Sequence, residues 1–328
     1  MRVLITAACA PPGRNTFLEV KRILGTNNTV AADSDADTLK IIYQNERFVS
    51  LPSARLDYYV DALIRVCKDH EIGFVIPCIE EEVLVLSSSL QVLQAQNIRV
   101  LLPEISTLKS LVDKYSLSII SRSLGIDTPA TYSGREFIDR YRVLGDCFLR
   151  DSFIVKPRIG HGSKGVRQVS GNEALEFAET TSDTSIIQEV IRIASGSIHM
   201  VGILCDYDGR AIRSFVSKST ETLYENGGPA TAGISILNQQ LCEQSARLME
   251  SKKWIGPAGV EWLYDQEKDK YFLIDVNPRL WGYSSLMHAS GSDFMNALLM
   301  LLKGEAPGED SGYLTNVTMK RFFIDFFL

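Results

Sequence analysis

The sequence predicts an α/β domain followed by an α+β region, and three observations carry that reading. Short apolar runs alternate with longer amphipathic stretches through residues 1–103, as a parallel sheet with helices on its faces requires. From residue 151 onward strand-like runs follow one another with few helices between them. Within the first of these runs, 153–169 (FIVKPRIGHGSKGVRQV), a glycine-rich loop and a lysine sit inside what reads as a two-stranded hairpin.

The 328 residues are enough for two or three domains with filled cores, and 45% apolar with 23% charged residues is the mix of an ordinary globular protein. A net charge of -6 and the lack of a basic run with interleaved aromatics argue against nucleic acid as a partner. No stretch approaches the roughly 18 apolar residues of a membrane span. Six scattered cysteines form no C-x-x-C pair and point to neither a zinc site nor a disulfide framework, so a cytoplasmic location is expected. The opening MRVLITAACA faintly imitates a lipoprotein signal but reads better as a buried first strand running into the loop at Pro11, Pro12 and Gly13.

In order, strands are expected at 3–6, 29–33, 74–77 and 100–102, and helices at about 15–24, 57–70 and 80–95. This is a small Rossmann-like domain, although the loop after its first strand lacks the three spaced glycines that would bind a dinucleotide. Its C-terminal strand ends would rim a substrate site, with Glu80, Glu81 and Glu82 as rim candidates or as an acidic first helical turn. Residues 103–151 read as mostly helical, with Ser106 as an N-cap, a helix through Leu111, and another over 114–124 stopped by Gly125 and Pro129.

Strands then follow at 153–156, 165–169 and 185–190, with a helix over 172–180. Four more, at 197–205, 211–218, 259–264 and 271–276, suggest a larger antiparallel sheet, the first two joined by the tight turn DYDG at 206–209. A helix spans 239–252, another runs from Pro278 to about Gly304, and the terminal FFIDFFL reads as a docked strand.

Gly160, Gly162 and Gly165 match G-x-G-x-x-G, yet the residues that follow are strand-like, whereas a dinucleotide loop opens a helix. A glycine loop between antiparallel strands suits a cover for nucleotide phosphates, whose oxygens approach backbone N–H groups most closely where no side chain intervenes. Lys156, on the strand leading into that loop, is placed to aim a charge at the same phosphates. Glu261, Asp275 and Asn277 lie on two strands read as neighbours, and such oxygen donors suit Mg²⁺ shared with phosphate. Arg279, two residues beyond Asn277, would brace a transferring phosphoryl group. Lys218 and the loop 226–233 lie between the sheet strands and are read either as touching a substrate carboxylate or γ-phosphate or, for the glycine-rich loop, as only a flexible turn.

Taken in this order and spacing, the motifs resemble the ATP-grasp superfamily, within it the branch of carbamoyl phosphate synthetase large chains, biotin carboxylases and carboxylate-amine ligases. The resemblance spans residues 1 to about 305 and rests on the Asp113-Lys114 pair, VKP with its glycine loop, the Gln188-Glu189 strand, the Val260-Glu261 strand and the Asn277-Pro278-Arg279 turn. It implies a pre-ATP-grasp domain over 1–103, a two-lobed ATP-grasp fold over 104–305 with a small lobe at about 151–192, and a tail over 306–328. It makes Lys114 and Lys156 phosphate-binding lysines and the loop of Gly160, Gly162, Ser163 and Gly165 a mobile cover. Gln188, Glu189, Val190 and Ile191 become the hinge whose backbone reads adenine.

The same resemblance makes Glu261, Asp275 and Asn277 ligands of Mg²⁺ (or Mn²⁺), and Arg279 the stabiliser of an acyl phosphate. His199 is placed at the ribose position, near which relatives often carry an acidic residue and this chain has none. The implied activity is ATP-dependent ligation of a small-molecule carboxylate to an amine through an acyl phosphate, releasing ADP. The alternatives are a carboxyphosphate-forming carboxylase or carbamoyl phosphate synthetase-like enzyme, and a non-catalytic ATP-binding regulatory protein. The chain stops soon after the core, which is expected to separate it from biotin carboxylases with their long C-terminal domain, and a single unit is expected to separate it from a complete carbamoyl phosphate synthetase. A homodimer is the candidate assembly.

Overall fold

Three apolar runs near the start become the centre of a parallel sheet because both of their faces are covered. In the computed structural model, which describes residues 2–160, 162, 164–180, 183–192, 198–224 and 227–322, these are β1 (Val3–Ile5), β2 (Thr29–Asp33) and, further on, β4 (Phe74–Ile76). With β3 (Phe48–Ser50) and β5 (Arg99–Val100) they pair in parallel in the order β3-β2-β1-β4-β5. The order reverses between β1 and β4, the point at which open α/β sheets leave a crevice outside the carboxyl ends of their strands. The first helix, Pro11–Leu24, starts with proline in its first turn, carries Lys21 and Arg22 in its last, and ends on Gly25 at φ 80°, the signals expected of both ends.

The sequence reading missed β3 and the short helix Ala36–Ile42, both too short for a periodic pattern to stand out. The single helix expected over 80–95 is two, Glu80–Ser87 and Leu90–Ala95, because the serines at 88 and 89 break the first and open the second.

The second sheet is small and antiparallel: β6 (Thr131–Tyr132), β7 (Ser152–Pro157), β8 (Arg167–Ser170) and β9 (Ser185–Glu189), in the order β6-β9-β7-β8. It has a core of its own, in which Phe137, Phe153, Val155, Ala174, Ala178 and Ile187 are buried and the rings of Phe137 and Phe153 meet edge to face at 4.9 Å. Helices Gly134–Leu144 and Gly171–Thr180 cover it. Ser133 and Glu136 close the first of these helices with a reciprocal capping box.

The largest sheet is antiparallel, made of β10 (Ile198–Cys205), β11 (Ala211–Tyr224), β12 (Gly227–Ile236), β13 (Gly256–Asp265), β14 (Lys270–Asn277) and β15 (Thr318–Lys320), in the order β14-β13-β10-β11-β12-β15. The stretch read as a loop at 226–233 is the first part of β12, Asn226 itself lying outside the described residues. At Gly233 an added Cβ would stand 3.2 Å from the Lys218 carbonyl of the neighbouring strand, tighter than an ordinary contact. The helix expected from Pro278 to Gly304 is two, Ser285–Ala289 and Phe294–Lys303. Of the terminal strand expected at FFIDFFL, residues 323–328 lie outside the described part, and the strand found is β15, just ahead of it.

Alternation divides this sheet into two faces. The back, with Val201, Ile203, Val216, Val260 and Trp262, packs under helix Gln239–Ser251 and shares one core with Leu4, Val30 and Val75 of the parallel sheet. The front, with Met200, Leu204 and Phe215, packs against Trp281, Tyr283 and Leu286 in a second core that also takes in Val3, Ile5 and Ile76. The two larger sheets are therefore welded, whereas the small one is not part of either core. Among the described residues no helix is long and apolar enough to cross a membrane.

The weld depends on one glycine. The Trp281 indole lies so close to Gly202 in β10 that an added Cβ would meet its ring at 2.0 Å, while Phe215 stacks on it with an interplanar angle of 18°. Gly202→Ala is expected to destabilise the protein by about 1–3 kcal/mol through overpacking, read as a lower urea midpoint at unchanged slope.

Candidate active site

The front face of β13 and β14 forms the floor of the site. Glu261 lies directly opposite Asp275, and Gly259 opposite Asn277, so the three oxygen-bearing side chains project from one side. Carboxylates facing each other across a strand pair repel unless something intervenes. Here Asn277 Nδ2 donates to Glu261 Oε1 at 2.9 Å, and Lys114 Nζ stands 3.1 Å from Asp275 Oδ1. Burial pushes the Glu261 carboxyl above its usual range, the charge of Asp275 adds to this, and the Asn277 hydrogen bond opposes it. Arg279, in the turn after β14, reaches back with Nη2 3.3 Å from Asn277 Oδ1 while Nη1 donates to the Leu280 carbonyl.

The opposite wall carries two buried lysines. Lys156 sits on β7 at 9% exposure, and Lys114, the first residue of helix Lys114–Ser123, at 8%. Burial drives the Lys156 ammonium down to about 8, against the pull of Asp275, and the charge of Lys114 lowers it further. Lys114 Nζ also donates to the Gly160 carbonyl at 2.9 Å, so one ammonium ties the Asp275 carboxylate to the glycine loop. β7 and β8 pair as the expected hairpin around that loop. Gly160, Gly162 and Gly165 have φ of 154°, 65° and 74°, in the region glycine alone enters freely. Ser163 lies outside the described residues.

At the expected hinge, β9 carries Gln188 and Glu189, with Val190 and Ile191 just past its end. Their side chains serve the scaffold: Gln188 donates to Thr131 Oγ1 at 2.8 Å, and Glu189 accepts from the Ala130 amide and pairs with Lys268 at 3.0 Å.

Two expected site residues are not brought to the cluster. His199 and Lys218 pair with each other, and His199 pairs with Trp262, so both project from the back face, away from Glu261. His199 is 3% exposed and meets Tyr271 edge-on at 5.2 Å. The reason is the two-residue period of a strand: one step along β10 or β11 changes the face. What these strands present beside Glu261 is Met200 and Ser217. Tyr283, on the same side, is buried, and its hydroxyl is pushed well above its ordinary range, chiefly by burial. Alternation alone would have found Met200 and Ser217 had the register been known.

At the rim of the parallel sheet the three glutamates separate. Glu82 turns into the core and accepts the Thr6 hydroxyl, burial pushing it up to about 7; Glu80 is buried and Glu81 pairs with Arg55 at 3.4 Å. Only Glu81 keeps the character of a rim residue.

Among the described residues no group of three His, Cys, Asp or Glu side chains gathers as a cation site. Two carboxylates and an amide oxygen instead fit Mg²⁺ or Mn²⁺, which accept a few protein ligands and complete their shell with phosphate and water. The donor set makes chemical sense: two opposed carboxylates, one of them already unfavourably charged, gain most from a divalent ion.

Comparison with known proteins identifies the family and the fold. Residues 111–283, more than half of the chain, match the model of the ATP-grasp domain family. Acetyl-CoA carboxylase 1 of Oryza sativa subsp. japonica is 31% identical over 137 residues, 39% of this chain, and the chain spans only 6% of that protein. The biotin carboxylase domain dimer of Hydrogenobacter thermophilus 2-oxoglutarate carboxylase, solved with MgADP, ADP and bicarbonate, superposes with a TM-score of 0.72 at 14% identity, covering 97% of this chain and 73% of that one. An L-amino acid ligase from Bacillus licheniformis superposes with a TM-score of 0.64 at 16% identity, covering 92% and 74%. At these identities the structures establish the fold.

The carboxylate pair makes a direct prediction. Glu261→Gln removes one carboxylate from the floor and should weaken Mn²⁺ binding in the presence of ADP by at least about tenfold, the loss typical of even outer-shell changes. Water-proton relaxation with Mn²⁺ reads this, and an unchanged affinity would remove Glu261 from the ligand set.

Proposed function

The chain belongs to the ATP-grasp family, and on that premise we propose that it uses MgATP to phosphorylate a carboxylate-type oxygen, bicarbonate foremost, giving ADP and a mixed anhydride that a nitrogen nucleophile then consumes. The observation that carries this reading is the confrontation of two recessed carboxylates with two buried lysines. Lys114 lies 3.1 Å from Asp275, and Lys156 is nine-tenths buried beside them. Such a set is suited to holding a polyphosphate on one side and its cation on the other.

The chemistry balances with the residues present. An acceptor oxygen attacks the γ-phosphorus as its bond to the β-bridging oxygen breaks, and ADP leaves. Magnesium held by Glu261, Asp275 and Asn277 would neutralise phosphate charge. Lys114 and Lys156 orient the phosphates, and Arg279 faces the charge that spreads over the transferring group. The amine then attacks the acyl carbon, the carbon–oxygen bond to phosphate breaks, and a proton leaves the new nitrogen.

Bicarbonate is favoured because the curated relative is an acetyl-CoA carboxylase and a superposing domain was solved with bicarbonate. A carboxylate-amine ligase is the second reading, supported by the fold shared with an L-amino acid ligase along 92% of the chain. ADP release is the discriminating assay, run with MgATP and bicarbonate, and separately with panels of acids and amines. Dependence on bicarbonate alone supports the first reading and dependence on an acid–amine pair the second. Nucleotide binding without turnover under every condition would leave a regulatory protein.

Lys156→Ala should lower turnover by about 10²–10³-fold, as loss of a preorganised charge typically does. The lysine binds phosphate only when protonated, and its ammonium is pushed down to about 8. The kcat/KM for MgATP should therefore fall as pH rises through about 8, since that ratio reports the free enzyme. Lys156→Arg, charged throughout, should remove this limb of the profile.

A further inference from the structure

Arg158, inside the glycine-loop motif, is absent from every role assigned above, yet its guanidinium is among the most thoroughly engaged in the molecule. Its Nε donates to Asp113 Oδ2 at 2.9 Å, and its Nη2 stands 2.8 Å from the same oxygen. Nη1 donates to the Asp183 carbonyl at 3.2 Å. The cation lies 5.0 Å from the centre of the Tyr115 ring, a stacking that ammonium groups satisfy less well. The backbone closes the same contact: the Lys114 amide donates to the Arg158 carbonyl, and the Arg158 amide to that of Thr184, both at 2.9 Å.

These partners belong to the parts that must be held in register. Asp113 caps the helix that begins with Lys114, its other oxygen accepting from the amides of Tyr115 and Ser116. Tyr115 donates from its hydroxyl to Glu136 at 2.6 Å, in the helix that covers the small sheet. Arg158 itself lies two residues beyond Lys156 and two before Gly160, whose carbonyl Lys114 grips. One side chain thus joins the helix of one phosphate lysine to the strand of the other and to the start of the loop, where the small sheet has no shared core with the large ones.

We propose that Arg158 is a positioning residue for phosphate binding and transfer: its clamp on Asp113 and Tyr115 fixes Lys114, Lys156 and the glycine loop relative to one another. This rests on the MgATP reading of the site. The guanidinium touches none of the reacting atoms; it acts through the two lysines.

Calorimetric titration of the full chain with MgADP and, separately, with adenosine tests it. Arg158→Gln should weaken MgADP by about tenfold or more while leaving adenosine within twofold, because only the phosphates depend on the lysines. Arg158→Lys should recover part of the loss, retaining the charge beside Asp113 but not the two-nitrogen contact or the stacking. Asp113→Asn should weaken MgADP similarly, and the double variant Asp113→Asn with Arg158→Gln should lose no more than the worse single one. Thermal unfolding accompanies each titration.

Equal losses for MgADP and adenosine, or a loss that merely follows a fall in the folded fraction, would show a structural role and overturn the proposal. So would full additivity of the two substitutions. If the unsubstituted protein does not bind MgADP, the nucleotide reading fails and the proposal with it; binding that Arg158→Gln leaves unchanged overturns the positioning role alone.

Discussion

Two carboxylates placed opposite each other on neighbouring strands are the constraint around which this site is arranged. Glu261 and Asp275 share a register position on β13 and β14, where like charges destabilise a strand pair. The protein answers with an amide hydrogen bond from Asn277 and an ammonium from Lys114. That ammonium comes from the first residue of a helix outside the sheet, so the floor and the start of that helix are tied together. The cap at Asp113 and the grip of Lys114 on Gly160 follow from it in space.

The division of the hydrophobic cores gives this arrangement its mechanical character. The parallel sheet and the large antiparallel sheet share two cores, one on each face of the latter, and Trp281 fills the hollow left by Gly202 in the second. The small sheet packs around Phe137 and Phe153 by itself. Ile186 and Ile191 are buried outside that core, so the small sheet is held to its surroundings by apolar burial as well as by polar contacts. Its polar attachments include Arg158 with Asp113 and Glu189 with Lys268.

The crevice of the N-terminal sheet adds a boundary. Of the acidic turn at 80–82, Glu82 is drawn inward to the Thr6 hydroxyl at the point where strand order reverses. Burial raises its proton affinity to about 7, so near neutrality it is not a dependable fixed negative charge. The front face of the large sheet meanwhile offers Met200, Ser217 and Tyr283 beside the carboxylates. The wall next to the cluster is thus apolar and hydroxyl-bearing, and Arg279 reaches back to Asn277 from the turn after β14.

What the sequence determined by itself is what depends on local order. The hairpin around Gly160, Gly162 and Gly165, the buried strands Thr29–Asp33 and Lys270–Asn277, and the grouping of Asp275, Asn277 and Arg279 were legible because alternation, glycine and short spacing act over a few residues. Tertiary structure alone decided the faces and the partners. Lys218 and His199 fell on the back of the sheet because register, set by pairing between strands far apart in the chain, is invisible in either strand alone, and one residue of slip reverses every side chain. The strand Gly227–Ile236 looked like a loop because its glycines and small residues show no alternation, and only its pairing with Ala211–Tyr224 and Thr318–Lys320 makes it a strand. Arg158 and Asp113 are likewise 45 residues apart, and no local pattern announces such a pair: their attraction is realised only once two separate elements have been folded against each other.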